Sequence, residues 1–339
     1  MGANDQVFVK AITAGITIAL VFGAINISYR TFGPMIESEI KPKPTPTKNT
    51  LGDVLDVPAG IFRYGGSTSF APLRKPEIVE RIRQAHPGYD LVYTEPPSGH
   101  KPGSGTGIKM LIDGQLSFSQ SSRPVKNEEY AAAQIRNFKL ESIPVAIDGI
   151  AIYVNPQISI RGLNLSQIKD IFTGKITNWK QINGEDLAII PISRDPEDGG
   201  TPEFFKETVL EKANFISQEY VRDTTTGIKK VATNRGAIGY ASTSEVCGQS
   251  LIKPLAIART NNQNFVSPCI GEKVNQIDLA KDTYPITRRL FVVIKRDGQL
   301  DEKSGQAYVN MILTDEGQEI VNQAGLVPLR GFSKPTQHK

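Results

Sequence analysis

Histidine is scarce in this sequence, and its histidines lie in no catalytic pattern. His86, His100 and His338 are the only three among 339 residues, and none lies in a motif with a serine and a carboxylate. A serine nucleophile needs such a base to become reactive. No cluster of Asp and His residues has the spacing of a metal site either. We therefore expect a binding protein without a cofactor or metal, rather than an enzyme such as a phosphatase.

A strong charge of one sign is also missing. Lys and Arg number 39 against 35 Asp and Glu, the net charge is +4, and no basic run occurs. Surfaces that bind nucleic acid concentrate positive charge, so this composition argues against a nucleic-acid partner and permits a locally positive cleft. Charged residues make up 22% and hydrophobic residues 39% of the chain, which is typical of a globular protein of about two domains.

Two well-known phosphate loops are absent, although residues 102–114 are rich in glycine. A Walker A loop needs Gly-Lys-Ser/Thr around its lysine, which Lys109 lacks, and a Rossmann fingerprint needs a third glycine later than Gly107. The segment instead alternates glycines with the hydroxyls of Ser104 and Thr106, before a predicted helix. Unpaired N–H groups at the start of a helix attract anions. The segment therefore predicts an anion pocket, with an ordinary Gly-Ser loop as the alternative.

One segment is long and apolar enough to cross a membrane. Residues 7–29 carry a single charge, Lys10, and a helix of this length spans a bilayer core of about 30 Å. We favour an uncleaved anchor, with residues 1–6 in the cytoplasm, over a cleaved signal peptide because no clear cleavage site is present. Residues 30–57 form a linker that alternating prolines keep extended. The body is then periplasmic, tethered to the outer face of the cytoplasmic membrane.

The two cysteines, Cys247 and Cys269, agree with export. They lie in one late stretch of the chain, and a bridge between them closes a modest loop, as is common in an oxidising compartment. We expect a disulfide here, with two separate thiols as the alternative.

Beyond the linker, short apolar strands alternate with amphipathic helices, which predicts an α/β fold with parallel character. Turns rich in glycine and hydroxyls follow several strands, at the strand ends where such sheets bind ligands. The candidate site residues in these turns are Thr68, Ser69, Phe70, Ser104, Thr106, Ser122, Arg123, Arg194, Gly199, Gly200 and Thr201. For Arg123 the alternative is a solvated surface charge. Thr201, which precedes Pro202, is also predicted to be the N-cap of a helix.

Asp148 interrupts the most apolar run of the body. This run, residues 143–154, is interpreted as a strand buried on both faces. A buried carboxylate needs a partner, because burying a lone charge is costly. We expect Asp148 either to accept hydrogen bonds in a turn or to face the cleft.

In order and spacing, these turns resemble those of the periplasmic phosphate-binding proteins of the Pst ABC transporters. The resemblance extends over about residues 60–329 and is carried by residues 65–73, 103–109, 121–124, 194–201 and 237–240. It implies a two-lobed periplasmic binding protein of type II, whose lobes close on phosphate by a hinge. It also implies delivery of inorganic phosphate to the permease subunits of an ABC transporter. The alternatives are a binding protein for sulfate or molybdate and a membrane-tethered phosphate sensor.

The resemblance also implies which groups contact phosphate. They are the Ser69 hydroxyl, the Phe70 amide, the Ser104 hydroxyl, and Arg194, Gly200 and Thr201 of an Arg…Gly-Thr loop. Members with a Ser-Asp pair use that Asp to accept a proton from phosphate, but this chain has Ser122 there, followed by Arg123. Gly199 stands where a serine is frequent. Asp148 is therefore our candidate for the acceptor that distinguishes phosphate from sulfate.

The resemblance also divides the body into lobes. The predicted parts are lobe 1 in residues 58–144, lobe 2 in residues 145–245, a return to lobe 1 in residues 246–330, and a tail in residues 331–339. The hinge candidates lie near Asp148 and in residues 240–244.

Overall fold

Strands and helices alternate along the chain in the computed structural model, which describes residues 50–196, 199–216 and 220–329. Within these ranges the strands are β1 (Gly60–Gly66), β2 (Tyr89–Tyr93), β3 (Phe118–Ser121), β4 (Lys139–Val154), β5 (Gly162–Asn164), β6 (Ile190–Pro191), β7 (Ala237–Ser242), β8 (Lys253–Pro254), β9 (Ala256–Ala258), β10 (Cys269–Ile270), β11 (Lys273–Val274) and β12 (Thr287–Arg296). The helices are α1 (Pro76–Ala85), α2 (Ser104–Ile112), α3 (Asn127–Ile135), α4 (Leu165–Phe172), α5 (Gly200–Phe204), α6 (Thr224–Thr233), α7 (Thr243–Val246), α8 (Gln276–Ala280), α9 (Leu300–Ile312) and α10 (Asp315–Gln323). Tighter 3₁₀ turns cover Leu51–Asp53, Thr68–Arg74 and Trp179–Ile182, and a π-helical turn covers Phe205–Val209.

A mixed sheet joins eight of these strands in the order β2-β1-β3-β12-β4-β7-β6, with β8 paired to β4. The pairs are parallel towards the two ends, where β1 lies between β2 and β3 and where β6 lies beside β7. They are antiparallel in the centre, where β12 and β4 lie. The predicted α/β class is confirmed, and the parallel character is limited to the outer strands.

Strand β4 is shared between the two halves of this sheet. Residues 139–149 pair with β12, and residues 150–154 pair with β7. The apolar run that we interpreted as a buried strand forms most of β4, and residues 150–154 are all at most 2% exposed. A continuous apolar run suits this position because both faces of the strand are covered. β4 is thus the element that connects the halves.

Buried side chains form separate cores on the two sides of the midpoint of β4, and we call these parts lobe 1 and lobe 2. The core of lobe 1 contains Phe62, Phe118 and Leu290, and a second cluster lies beneath α2. The core of lobe 2 contains Phe172 and Tyr240, and a second cluster lies beside α6. Each lobe therefore has a hydrophobic interior of its own, as a two-lobed fold requires.

The chain returns to lobe 1 later than the sequence predicts. We placed it at residue 246, but Val246, Leu255 and Tyr284 are buried in the clusters of lobe 2. Strand pairing explains this, because β8 pairs with β4 and β9 pairs with β5. The chain returns to lobe 1 only at β12, where Leu290 enters the lobe 1 core.

The last residues of the linker predicted for residues 30–57 pack in the folded body. Leu51 and Val54 are 1% and 3% exposed and belong to the lobe 1 core. The N–H and the hydroxyl of Thr50 donate to the Asp53 carboxylate at 2.9 and 2.7 Å, which closes the first turn. The linker prediction is therefore wrong from Thr50 onward, because these residues are part of the folded body.

The predictions for residues 1–6, 7–29, 30–49 and 331–339 lie outside the described residues. Among the helices that are described, none combines the length and the apolar character needed to cross a bilayer.

The start of α5 differs from the prediction. We expected Thr201 to be the N-cap, but the helix begins at Gly200, with Gly199 at the N-cap position. Gly199 has φ 127°, a conformation in the region that favours glycine. Thr201 therefore lies in the first turn, and its hydroxyl is available for contacts outside the helix.

The predicted disulfide between Cys247 and Cys269 is present, with the two Cα atoms 5.7 Å apart. It links the end of α7 to β10, in the segment that packs with lobe 2.

Replacing both cysteines, Cys247→Ser and Cys269→Ser, should lower the free energy of unfolding by about 3 kcal/mol, as expected for a closed loop of this length. The measurement is urea denaturation of the oxidised protein, with the reduced wild type as control, which should match the variant. A loss under about 1 kcal/mol would contradict a stabilising role for the bridge.

Candidate functional site

Four segments meet where the two lobes touch. Lobe 1 contributes the 3₁₀ turn Thr68–Arg74, the start of α2 and Ser122 after β3, and lobe 2 contributes the start of α5. A Cβ atom added at Gly103 would lie 2.9 Å from the Cα atom of Gly199. A Cβ atom added at Gly200 would lie 2.1 Å from the Ser122 Oγ atom. The backbones approach so closely that side chains larger than hydrogen do not fit there.

Four buried hydroxyl groups line this contact. Ser69 Oγ lies 3.4 Å from Thr201 Oγ1, and Ser104 Oγ lies 3.2 Å from Ser122 Oγ. The backbone N–H of Ser122 also donates to Ser104 Oγ at 3.0 Å. All four residues are at most 9% exposed. Because a hydroxyl both donates and accepts, this set can exchange its internal hydrogen bonds for the oxygens of an anion.

Arg288 brings a buried positive charge into contact with these hydroxyls. Its side chain, on β12, is 2% exposed. Nη2 donates to Ser69 Oγ at 2.7 Å and to Thr201 Oγ1 at 2.9 Å. Nη1 donates to the carbonyl oxygen of Gly200 at 3.2 Å. One guanidinium group therefore contacts both lobes at the hydroxyl set.

Asp148 compensates the charge of Arg288. Its Oδ2 accepts from Arg288 Nε at 2.9 Å and from Nη2 at 2.8 Å, and its Oδ1 accepts from Ser242 Oγ at 2.5 Å. The Asp148 side chain is 0% exposed. A buried charge without a partner is strongly destabilising, so the carboxylate holds the guanidinium in place. Oδ2 accepts two hydrogen bonds and Oδ1 one, so most of the roughly four acceptor positions of this carboxylate are used, which favours the orienting role over the predicted role of accepting a ligand proton.

Arg123 does not point at the hydroxyl set. Its Nη1 and Nη2 donate to the two carboxylate oxygens of Glu129 at 2.9 and 2.8 Å, and its Nε donates to Glu203 at 3.0 Å. Nη1 also donates to the Pro124 carbonyl oxygen at 2.9 Å. The side chain is 6% exposed, so the alternative of a solvated surface charge is wrong. These contacts favour a structural role over the predicted ligand contact.

Arg194 lies beside the start of α5. A Cβ atom added at Gly199 would be 3.4 Å from Arg194 Nη2. The backbone at Arg194 is fixed by Ser193, whose hydroxyl donates to the Arg194 carbonyl oxygen at 2.7 Å and lies 2.8 Å from the Tyr240 hydroxyl. Burial raises the pKa of Tyr240, so this phenol stays protonated at neutral pH.

The remaining predicted residues surround the same contact. The Phe70 side chain is buried in the lobe 1 core, and its N–H donates to the Ser67 carbonyl oxygen at 3.2 Å. Thr68 Oγ1 would be 3.8 Å from a Cβ atom at Gly199. Thr106, with Ser104 and Gly199, lines a cavity of about 480 Å³ that opens beside the site.

Arg288 is the residue that the sequence reasoning missed. The signal was present, because Arg288 and Arg289 are adjacent in an apolar strand. Neighbouring residues of a strand face opposite sides of the sheet, so one of the two arginines had to point inward. Arg288 is buried, whereas Arg289 is exposed to solvent.

These residues suit a small tetrahedral oxyanion. Hydroxyl groups, a guanidinium and the first turns of helices all donate hydrogen bonds, and guanidinium matches the oxygens of such anions in pairs. In the described part of the chain, His, Cys, Asp and Glu residues form no group of three that could hold a metal ion.

Comparison with known proteins agrees with this chemistry. The family profile described as the PBP superfamily domain matches residues 46–316. The phosphate-binding protein PstS of Staphylococcus epidermidis is 30% identical over 271 residues, which cover 79% of this chain and 78% of the relative. PstS of Staphylococcus aureus is 27% identical over 272 residues, with the same coverage of 79% and 78%.

Solved structures show the same fold. A protein from Clostridium perfringens, assigned as a phosphate ABC transporter substrate-binding protein and solved with bound phosphate, aligns with a TM-score of 0.63 and 28% identity, over 80% of this chain and 100% of its own. An ABC-type phosphate transport receptor from Vibrio cholerae aligns with a TM-score of 0.61 and 21% identity, over 78% of this chain and 99% of its own. The chain therefore belongs to the PBP superfamily and, within it, to the PstS phosphate-binding proteins.

Proposed function

We propose that the chain binds inorganic phosphate between its two lobes and delivers it to the permease subunits of an ABC transporter. The observation that carries the proposal is the contact of Arg288 Nη2 with hydroxyls of both lobes, Ser69 and Thr201, at 2.7 and 2.9 Å. An anion with four oxygens needs several hydrogen-bond donors at one point, and this contact brings guanidinium and hydroxyl donors of both lobes together.

Phosphate binds by replacing the hydrogen bonds that the hydroxyls make to one another. Ser69, Ser104, Ser122 and Thr201 donate to its oxygens. Ser104 and Thr201 lie in the first turns of α2 and α5, whose N–H groups lack partners within the helix. Arg288, whose charge Asp148 balances, adds guanidinium N–H donors. Contacts to Thr68, the Phe70 amide, Thr106, Arg194, Gly199 and Gly200 complete the proposed site.

Asp148 orients Arg288 in this proposal and does not accept the ligand proton. Its Oδ2 accepts two hydrogen bonds from Arg288, and its Oδ1 accepts one from the buried Ser242. The acceptor for the proton of hydrogen phosphate is then one of the site hydroxyls, since each hydroxyl oxygen carries acceptor lone pairs.

The location follows from the N-terminal sequence. Residues 7–29 anchor the protein in the cytoplasmic membrane, and the proline-rich segment that follows holds the body in the periplasm, near the permease subunits. Hinge motion near Asp148 and residues 240–244 opens and closes the lobes around the ligand.

The proposal predicts that Arg288→Lys weakens phosphate binding about 30-fold, or by about 2 kcal/mol. A lysine ammonium is not planar and does not reach Asp148, Ser69 and Thr201 together. The measurement is calorimetric titration of the full-length chain in detergent, stripped of bound ligand, with phosphate. The control is Arg289→Lys, on the next residue of the same strand and facing solvent, which should bind as the wild type does.

Titration with sulfate and molybdate separates the alternatives. Wild-type protein that binds no phosphate, or binds sulfate or molybdate more tightly than phosphate, would overturn the proposed function. An Arg288→Lys variant with wild-type affinity would leave phosphate binding intact but remove Arg288 from the site.

The orienting role of Asp148 predicts a specific pattern for Asp148→Asn. The ligand-free variant should lose about 3 kcal/mol of stability, because Arg288 remains buried without its partner. Phosphate should then raise the melting temperature by more than in the wild type, since the anion supplies the missing charge. Asp113→Asn, which removes ion pairs with Lys109 and Arg136 near the surface, is the control. The measurement is thermal unfolding with and without phosphate, together with phosphate and sulfate titrations.

If the preference of Asp148→Asn for phosphate over sulfate falls tenfold or more relative to the wild type, Asp148 accepts the ligand proton and the orienting role is wrong.

A further inference from the structure

Four charged side chains lie just outside the proposed site, on both sides of the contact between the lobes. Arg123 and Lys126 belong to lobe 1, next to Val125 of its core, and Glu203 and Glu207 belong to lobe 2, next to Phe205. We call these four residues the cross-lobe ion cluster. Glu203 Oε1 accepts from Arg123 Nε at 3.0 Å and from Lys126 Nζ at 2.8 Å. Lys126 Nζ also lies 3.2 Å from Glu207 Oε1.

The inner pair of the cluster is more buried than an ordinary surface ion pair. Arg123 is 6% exposed and Glu203 is 22% exposed, whereas Lys126 and Glu207 are 33% and 40% exposed. The guanidinium of Arg123 is held by both oxygens of Glu129, and the backbone N–H of Lys126 donates to the same carboxylate at 2.8 Å. Because lobe 1 holds the Arg123 guanidinium in place, little entropy of that side chain is lost when Glu203 of lobe 2 meets it.

The cluster is joined directly to the site through the chain. Arg123 follows Ser122, and Glu203 is two residues after Thr201. A Cβ atom added at Gly105, in the first turn of α2, would lie 3.3 Å from Arg123 Nη2. Contact between Arg123 and Glu203 therefore fixes the spacing of the site hydroxyls that the two lobes contribute.

We propose that the cross-lobe ion cluster holds the lobes closed over phosphate and so sets the rate at which phosphate leaves. The inference rests on the proposed function. These residues position the site without touching the ligand. The ion pairs form only when the lobes meet, so they stabilise the closed state and not the open one. Their loss should speed dissociation and leave association nearly unchanged.

The test is Glu203→Gln in the full-length chain in detergent, stripped of ligand. Phosphate should dissociate about tenfold faster from this variant than from the wild type. The ligand-free melting temperature should change little, because Arg123 keeps Glu129. The matched control is Glu211→Gln, which removes the same charge from lobe 2, where Glu211 pairs with Lys169 of the same lobe. Stopped-flow measurement of phosphate release gives the rates.

The dependence of the phosphate release rate on salt concentration is a second test of the ion cluster. Raising the salt concentration should speed release from the wild type, and the effect should be smaller in Glu203→Gln. Should Glu203→Gln fail to fold, Glu207→Gln removes only the outer pair and should give a smaller increase in the same direction. Release at the wild-type rate from a folded Glu203→Gln or Glu207→Gln variant, or an equal effect of Glu211→Gln, would overturn the proposal. Absence of phosphate binding in the wild type would overturn the proposed function instead.

Discussion

The buried ion pair between Arg288 and Asp148 is the interaction on which the rest of the site depends. Both side chains are at most 2% exposed, where an uncompensated charge is strongly unfavourable. Once paired, the guanidinium still has N–H groups left, and these contact Ser69, Thr201 and Gly200. Because Asp148 stabilises the buried guanidinium, Arg288 remains in place as a hydrogen-bond donor at the boundary between the lobes.

The sheet explains why this pair lies between the lobes. Asp148 and Arg288 are register partners on β4 and β12, just before β4 leaves β12 and begins to pair with β7. Glycines at the starts of α2 and α5 allow the hydroxyls of both lobes to approach the same guanidinium. Outside this point, Arg123 and Glu203 pair across the same boundary. Charge pairing therefore links the lobes at two places: at the buried hydroxyl groups, through Arg288, and nearer the surface, through Arg123 and Glu203.

Much of this arrangement could be predicted from local patterns in the sequence. The apolar run of β4 and the need of Asp148 for a partner followed from burial alone, and the turns containing Ser104 and Thr201 followed from glycine and hydroxyl spacing. The partners across the fold did not follow, because a single sequence does not place Arg288 beside Asp148, 140 residues away. For the same reason Arg123 was assigned to the ligand, although its contacts are Glu129 and Glu203. The return to lobe 1 was placed too early because short strand pairs such as β5–β9 have no strong pattern.

The central claim is that Arg288 and the hydroxyls of both lobes surround one phosphate. The most direct measurement is a crystal structure of the protein grown with phosphate. We expect tetrahedral density within hydrogen-bond distance of Ser69, Ser104, Thr201 and Arg288, with Asp148 still paired to Arg288. Phosphate bound elsewhere, or a structure in which Arg288 makes no contact with it, would show that Arg288 does not belong to the phosphate site.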